Sequence, residues 1–66
     1  MSAKRLGIKL KQLRMQRRLT QVAVAKKVRV TQAYIALLEK GKQNPTLDVL
    51  ERLAKALKVT VAELVE

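Results

Sequence analysis

Between Thr20 and Glu39 the chain reads TQVAVAKKVRVTQAYIALLE, two short helices joined by a tight turn. Thr20 is an N-cap for the first of them, because a threonine hydroxyl can accept a hydrogen bond from the unpaired N–H groups of a first turn. That helix is expected to run to Lys27, with Val24, Ala25 and Val28 on its inner face. Val28-Arg29-Val30 makes the turn, and Thr31 caps a second helix that ends near Glu39 with Ile35 and Leu38 inward. Ala25 is small where the two helices cross, so their backbones can approach. Val24, Val28, Val30, Ile35 and Leu38 then lock the pair at a steep angle. The second helix opens on a polar, uncharged turn, Thr31 and Gln32.

The rest of the chain is helical by the same criteria. Ser2 is placed to cap a helix over 3–17 whose Leu6, Leu10 and Leu13 face the core. Gly41 can end the helix that starts at Thr31 in the left-handed conformation. KGKQNP (40–45) is a loop, and Thr46 caps a fourth helix with Leu47, Leu50, Leu53, Ala54 and Leu57 on a wide apolar face. Thr60 caps a short last helix, Val61 to Val65. The fold class expected is all-α: one compact five-helix domain spanning residues 1–66. A 66-residue chain buries only about 60% of the surface it exposes when unfolded, so packing must be efficient.

Charge narrows the function. The formal net charge is +10, and ten Lys/Arg precede the first acidic residue, Glu39. A balance of this kind calls for a polyanionic partner. The chain holds no Cys and no His, which removes disulfides and most zinc sites. No metal, cofactor or small-molecule substrate is expected, and five acidic residues with no phosphate-cradling glycine loop leave little for an enzyme. No apolar run approaches the roughly 18–20 residues of a membrane span. Residues 1–10 are too interrupted by charge for a secretory signal. A soluble, cytoplasmic protein is expected. Because the chain ends at Glu66, a sensor or effector domain is not expected.

The segments LRMQRRLTQ (13–21), VAKKVRVTQAYI (24–35), LEKGKQNPTL (38–47) and LAKALKV (53–59), followed by EL (63–64), closely resemble the Cro/C1-type helix-turn-helix regulators of bacteria and phages. The resemblance covers nearly the whole chain and implies the lambda-repressor-like fold with its helix-turn-helix unit at 20–39. It implies roles by position. Thr31, Gln32, Ala33, Tyr34 and Leu37 would face DNA bases from the recognition helix. Gln32 is the best reader, since a Gln amide can pair with adenine N6 and N7; Ala33 would contact a thymine methyl. Leu37 stands where relatives often place a polar reader, so it would read only a methyl or face a protein. Gln21, Arg14, Lys42, Gln43 and Asn44 would hold backbone phosphate, with Gln21 also buttressing the recognition helix. Arg14 and Glu39 would form a salt bridge between the first helix and the end of the recognition helix. Arg18 and Arg29 occupy positions where relatives usually carry Gly with positive φ.

The function expected is a sequence-specific double-stranded-DNA-binding transcriptional regulator, a repressor or controller acting as a homodimer on a palindromic operator. Val61, Leu64 and Val65 are the expected dimer contacts. The alternative is an antitoxin-type module whose main partner is another protein, such as a toxin. Ile8, Met15, Val22 and Leu37 lie off the expected core faces and would serve that reading. Lys4, Arg5, Lys9 and Lys11 on the first helix, and Arg52, Lys55 and Lys58 on the fourth, read as solvated faces.

Overall fold

Five Ser or Thr hydroxyls set where the chain becomes helical. In the computed structural model, which describes residues 2–66, Ser2, Thr20, Thr31, Thr46 and Thr60 each accept a hydrogen bond from a backbone N–H three residues on. They open α1 (Ala3–Gln16), α2 (Gln21–Val28), α3 (Gln32–Glu39), α4 (Leu47–Leu57) and α5 (Val61–Val65). Each such cap contributes about 1 kcal/mol. At Thr60 the bond is reciprocal, because the Glu63 carboxylate accepts from the Thr60 N–H. Among the described residues there is no strand. The expected boundaries shift by one residue at two places: Arg17 is the C-cap of α1, and Val28 closes α2 rather than opening the turn.

The helices share one core. Leu6, Leu10 and Leu13 of α1 meet Val24, Ala25 and Val28 of α2, Ile35 and Leu38 of α3, and Val49, Leu50, Leu53 and Leu57 of α4. The α3 helix packs on α1 and α2, α4 on α2, and α5 closes the bundle against α1 and α4. Two α4 residues depart from expectation. Leu47 is 66% exposed, and Val49 is buried in its stead. Helical side chains lean toward the N-terminus, so a residue at the first position of α4 points past the end of the core.

Gly7 explains how closely α1 and α3 approach. A Cβ there would stand 2.4 Å from the Leu38 carbonyl oxygen and 2.8 Å from that of Glu39. Glycine alone lets the backbone of α1 lie directly on the last turn of α3. Gly41, at φ 72°, ends α3 as expected. Its N–H donates to Leu38 O at 3.0 Å, and Lys42 N–H to Leu37 O at 3.0 Å.

Candidate nucleic-acid interface

One carboxylate joins three helices. Glu39 ends α3, where the helix macrodipole disfavours a negative charge. Arg14, in the last turn of α1, neutralises it: Nε donates to Oε2 at 2.6 Å and Nη2 to Oε1 at 3.1 Å. This is the two-pronged geometry that suits guanidinium and carboxylate. The Arg14 Nη1 donates to Leu19 O at 2.8 Å, which fixes the segment between α1 and α2. Gln21, at the start of α2, donates from Nε2 to Glu39 Oε1 at 3.1 Å. The Arg14 and Glu39 side chains are only 13% and 4% exposed. The pair implied by the resemblance is therefore present, and it sets the direction of α3.

That network defines what Arg14 and Gln21 can offer a ligand. All three guanidinium nitrogens of Arg14 bond inside the fold, so its chief work is internal. An amide nitrogen carries two hydrogens, and Glu39 takes one from Gln21, which leaves the second for an external acceptor.

The first turn of α3 stands out from the bundle. Thr31, Gln32 and Ala33 are exposed, while Tyr34 is half-buried and packs its ring against the core. The Thr31 hydroxyl caps its own helix by accepting from Tyr34 N–H at 3.0 Å. Among the described residues no hydrogen bond holds the Gln32 amide. Leu37 is exposed one turn beyond Ala33. Lys42 and Asn44 are exposed and Gln43 half-buried in the loop that follows. The base-facing candidates thus lie on α3, and the phosphate-facing candidates Lys42, Gln43 and Asn44 in the loop that follows it.

Other expected site residues stand elsewhere. Leu64 is fully buried in the chain's own core and has no surface for a second subunit; packing of α5 on α1 and α4 uses it. Val61 and Val65 are half-buried at the edge of that core. Ile8, Met15 and Val22 are exposed, as expected for residues off the core faces.

Three helix ends turn through the left-handed region without glycine. The φ angles are 55° at Arg18, 65° at Arg29 and 59° at Lys58. The first two match the positions flagged by the resemblance. Lys58 was missed, although its place directly after the last apolar residue of α4, Leu57, marks a helix end. A side chain in this region costs on the order of 1–2 kcal/mol. Positive charge beside a helix C-terminus offsets part of that.

Those ends also account for a basic groove. Two adjoining hollows of about 380 and 240 Å³ are lined by Arg17, Lys27, Arg52, Lys55 and Lys58 together with Leu19 and Ala56. The C-terminal ends of α1, α2 and α4 converge here, and their exposed carbonyls call for cations. Arg52 answers directly: its Nη1 donates to Val28 O at 2.7 Å, at the end of α2, and its Nη2 to Asp48 Oδ2 at 2.5 Å. The solvated face expected at Arg52 is thus corrected to a helix-capping role. Among the described residues no group of three acidic side chains is placed to hold a metal. None of the helices is long and apolar enough to cross a membrane.

Comparison with known proteins agrees with this geometry. The helix-turn-helix family HTH_3 matches residues 10–64. The immunity repressor protein of Bacillus phage phi105 is 38% identical over 60 residues, covering 91% of this chain and 42% of the repressor. The uncharacterised HTH-type transcriptional regulator y4dJ of Sinorhizobium fredii is 40% identical over 62 residues, covering 94% of this chain and 80% of that protein. The chain thus spans less than half the length of the phage repressor. Among solved structures, the biofilm master regulator SinR in complex with DNA superposes with a TM-score of 0.87 at 29% identity, over 92% of this chain and 98% of that one.

Proposed function

The chain belongs to the HTH_3 helix-turn-helix family, and on that premise we propose that it is a sequence-specific double-stranded-DNA-binding transcriptional regulator, a repressor or controller acting as a homodimer on a palindromic operator. The observation that carries this reading is the Arg14–Glu39–Gln21 network. It holds α3 rigidly by its C-terminal end and leaves the N-terminal turn exposed. A reader of base edges needs this, since a base contact forms only when the helix is presented at a set depth and angle to the major groove. The relatives support the same role: one is a phage repressor and another a transcriptional regulator. Such a protein works in the cytoplasm of a bacterium or a phage-infected cell, on the nucleoid.

Roles divide by position. Gln32 reads a base, with Thr31, Ala33, Tyr34 and Leu37 beside it. Lys42, Gln43, Asn44 and the second amide hydrogen of Gln21 hold phosphate. Ten basic residues ahead of the first acid supply the field that draws the duplex in. In the dimer, Val61 and Val65 are the contacts that α5 can give, and two recognition helices stand about 34 Å apart, one turn of DNA.

The test is selection of bound duplexes from a random pool, followed by titration at several salt concentrations. About eight phosphate contacts per dimer give a log–log salt slope near roughly −7. On the selected site Gln32→Ala loses about 1–3 kcal/mol and relaxes one base position, with the slope nearly unchanged. Lys42→Ala weakens selected and random DNA alike and lowers the slope by about one per subunit. Equal losses on both DNAs for Gln32→Ala remove it as a base reader. Sedimentation as a monomer at high micromolar concentration, alone and on DNA, removes the dimer.

A further inference from the structure

The basic groove at the ends of α1, α2 and α4 holds more charge than the fold uses. Arg17, Lys27, Lys55 and Lys58 are all exposed and all line it. Among the described residues none of the four meets a carboxylate at salt-bridge distance, and no acidic residue lines either hollow. The helix ends do not account for them. Arg52 already serves the end of α2 through its bond to Val28 O, whereas none of the four donates a hydrogen bond to a carbonyl among the described residues. Lys58 moreover holds a φ of 59°, a conformation that glycine would adopt without strain. The hollows, about 380 and 240 Å³, share Lys27, Ala56 and Lys58 and so form one continuous groove. Leu19 and Ala56, both half-buried, give that groove apolar surface among the cations.

We propose that this groove is a docking site for an acidic peptide segment of a partner protein, its carboxylates paired with Arg17, Lys27, Lys55 and Lys58 and an apolar side chain covering Leu19 and Ala56. Charge complementarity calls for an anion, and the form of the groove selects its kind. A duplex carries its phosphates on a convex ridge, with no apolar group there to cover Leu19 and Ala56. A lone small anion meets flexible, hydrated lysines one or two at a time, and each such exposed pair contributes little. An acidic peptide meets several cations at once and brings aliphatic side chains with it. The inference goes beyond the regulator reading and does not rest on it, because the groove shares no residue with the DNA contacts proposed above.

The probe is a blocked peptide, Glu-Glu-Leu-Glu-Glu, titrated into the isotope-labelled chain and followed by the backbone amide signals. Those of Leu19, Lys27, Ala56 and Lys58 are expected to move together and saturate, with affinity falling as salt is raised. Glycine in place of the peptide's leucine loses up to about tenfold in affinity, the effect of uncovering that side chain. Lys58→Gly separates binding from folding. It relieves the left-handed strain and raises Tm, yet weakens the peptide about twofold to fivefold. Lys27→Ala gives a similar loss. Lys4→Ala removes one charge at the far end of α1, roughly 20 Å along the helix from Arg17 and beyond the screening length, and leaves affinity unchanged. An equal loss in Lys4→Ala means that net charge alone attracts the peptide, and overturns the groove. So do full affinity in both Lys58→Gly and Lys27→Ala, or signals that move at Thr31–Ala33 instead. Inorganic phosphate or random duplex DNA that saturates the same groove signals at the peptide's concentration overturns the peptide as occupant. The regulator reading stands or falls separately, on the selection of bound duplexes.

Discussion

Two arginine–carboxylate pairs in this protein have nearly the same length and very different stakes. Arg14 and Glu39 meet at 2.6 Å across two helices, with side chains 13% and 4% exposed. Arg52 and Asp48 meet at 2.5 Å one turn apart on α4, with side chains 36% and 75% exposed. Distance does not separate them; desolvation and connectivity do. The α4 pair exchanges water for a partner that the helix already brings near, and such pairs contribute little. The α1–α3 pair has been taken out of water together with its neighbours. Removing one member leaves a buried charge with no answer. Arg52 matters more through its bond to Val28 O than through Asp48, because that carbonyl ends a helix.

The largest effect that tests this contrast is Glu39→Ala. It is expected to lower stability by about 3–5 kcal/mol, since Arg14 is left buried and Gln21 loses its acceptor. Urea unfolding measures it, and a loss no greater than that of an exposed pair would erase the distinction. Next comes Gly7→Ala. Alanine favours the helix by about 1 kcal/mol, but its Cβ meets backbone carbonyl oxygen, which cannot rotate away. The net expectation is a loss of about 1–3 kcal/mol as α1 is pushed off α3. Because Gly7 and Glu39 share one seam, the double variant should depart from additivity; simple addition would show that the seam can relax piecewise. The smallest effect is Asp48→Ala, about 0.2–1 kcal/mol, falling further as salt is raised. A salt-independent loss there would mean that the α4 pair is shielded after all.

Much of the fold could be read from local pattern. The five caps are Ser or Thr that open segments with apolar residues at helical spacing, and the bonds they make reach only three residues. The inward residues of α2 and α3 followed from the same spacing. The site was legible to a different degree. Exposure of Thr31, Gln32 and Ala33 follows from their facing away from Ile35 and Leu38. The Arg14–Glu39 pair, by contrast, was implied only by resemblance to a family. No periodicity connects residues on separate helices, and the support that Gln21 gives α3 was likewise implied only by the resemblance.

The amino-acid sequence by itself determined which segments are helical, where most of them stop, which faces are apolar and where positive charge accumulates. These properties depend on neighbours within about four residues, so they survive without knowledge of the fold. Tertiary structure alone decided that Gly7 lies against the carbonyls of Leu38 and Glu39, that Leu47 overhangs the core, and that Leu64 is consumed inside it. It also turned Arg52 from a solvated residue into the cap of another helix. Each depends on which helix ends meet, and that is settled by the packing of five elements at once. A short helix such as α5 shows the reason most clearly: its pattern says that Val61, Leu64 and Val65 are apolar, but only the position of α1 and α4 around it says which of them water can reach.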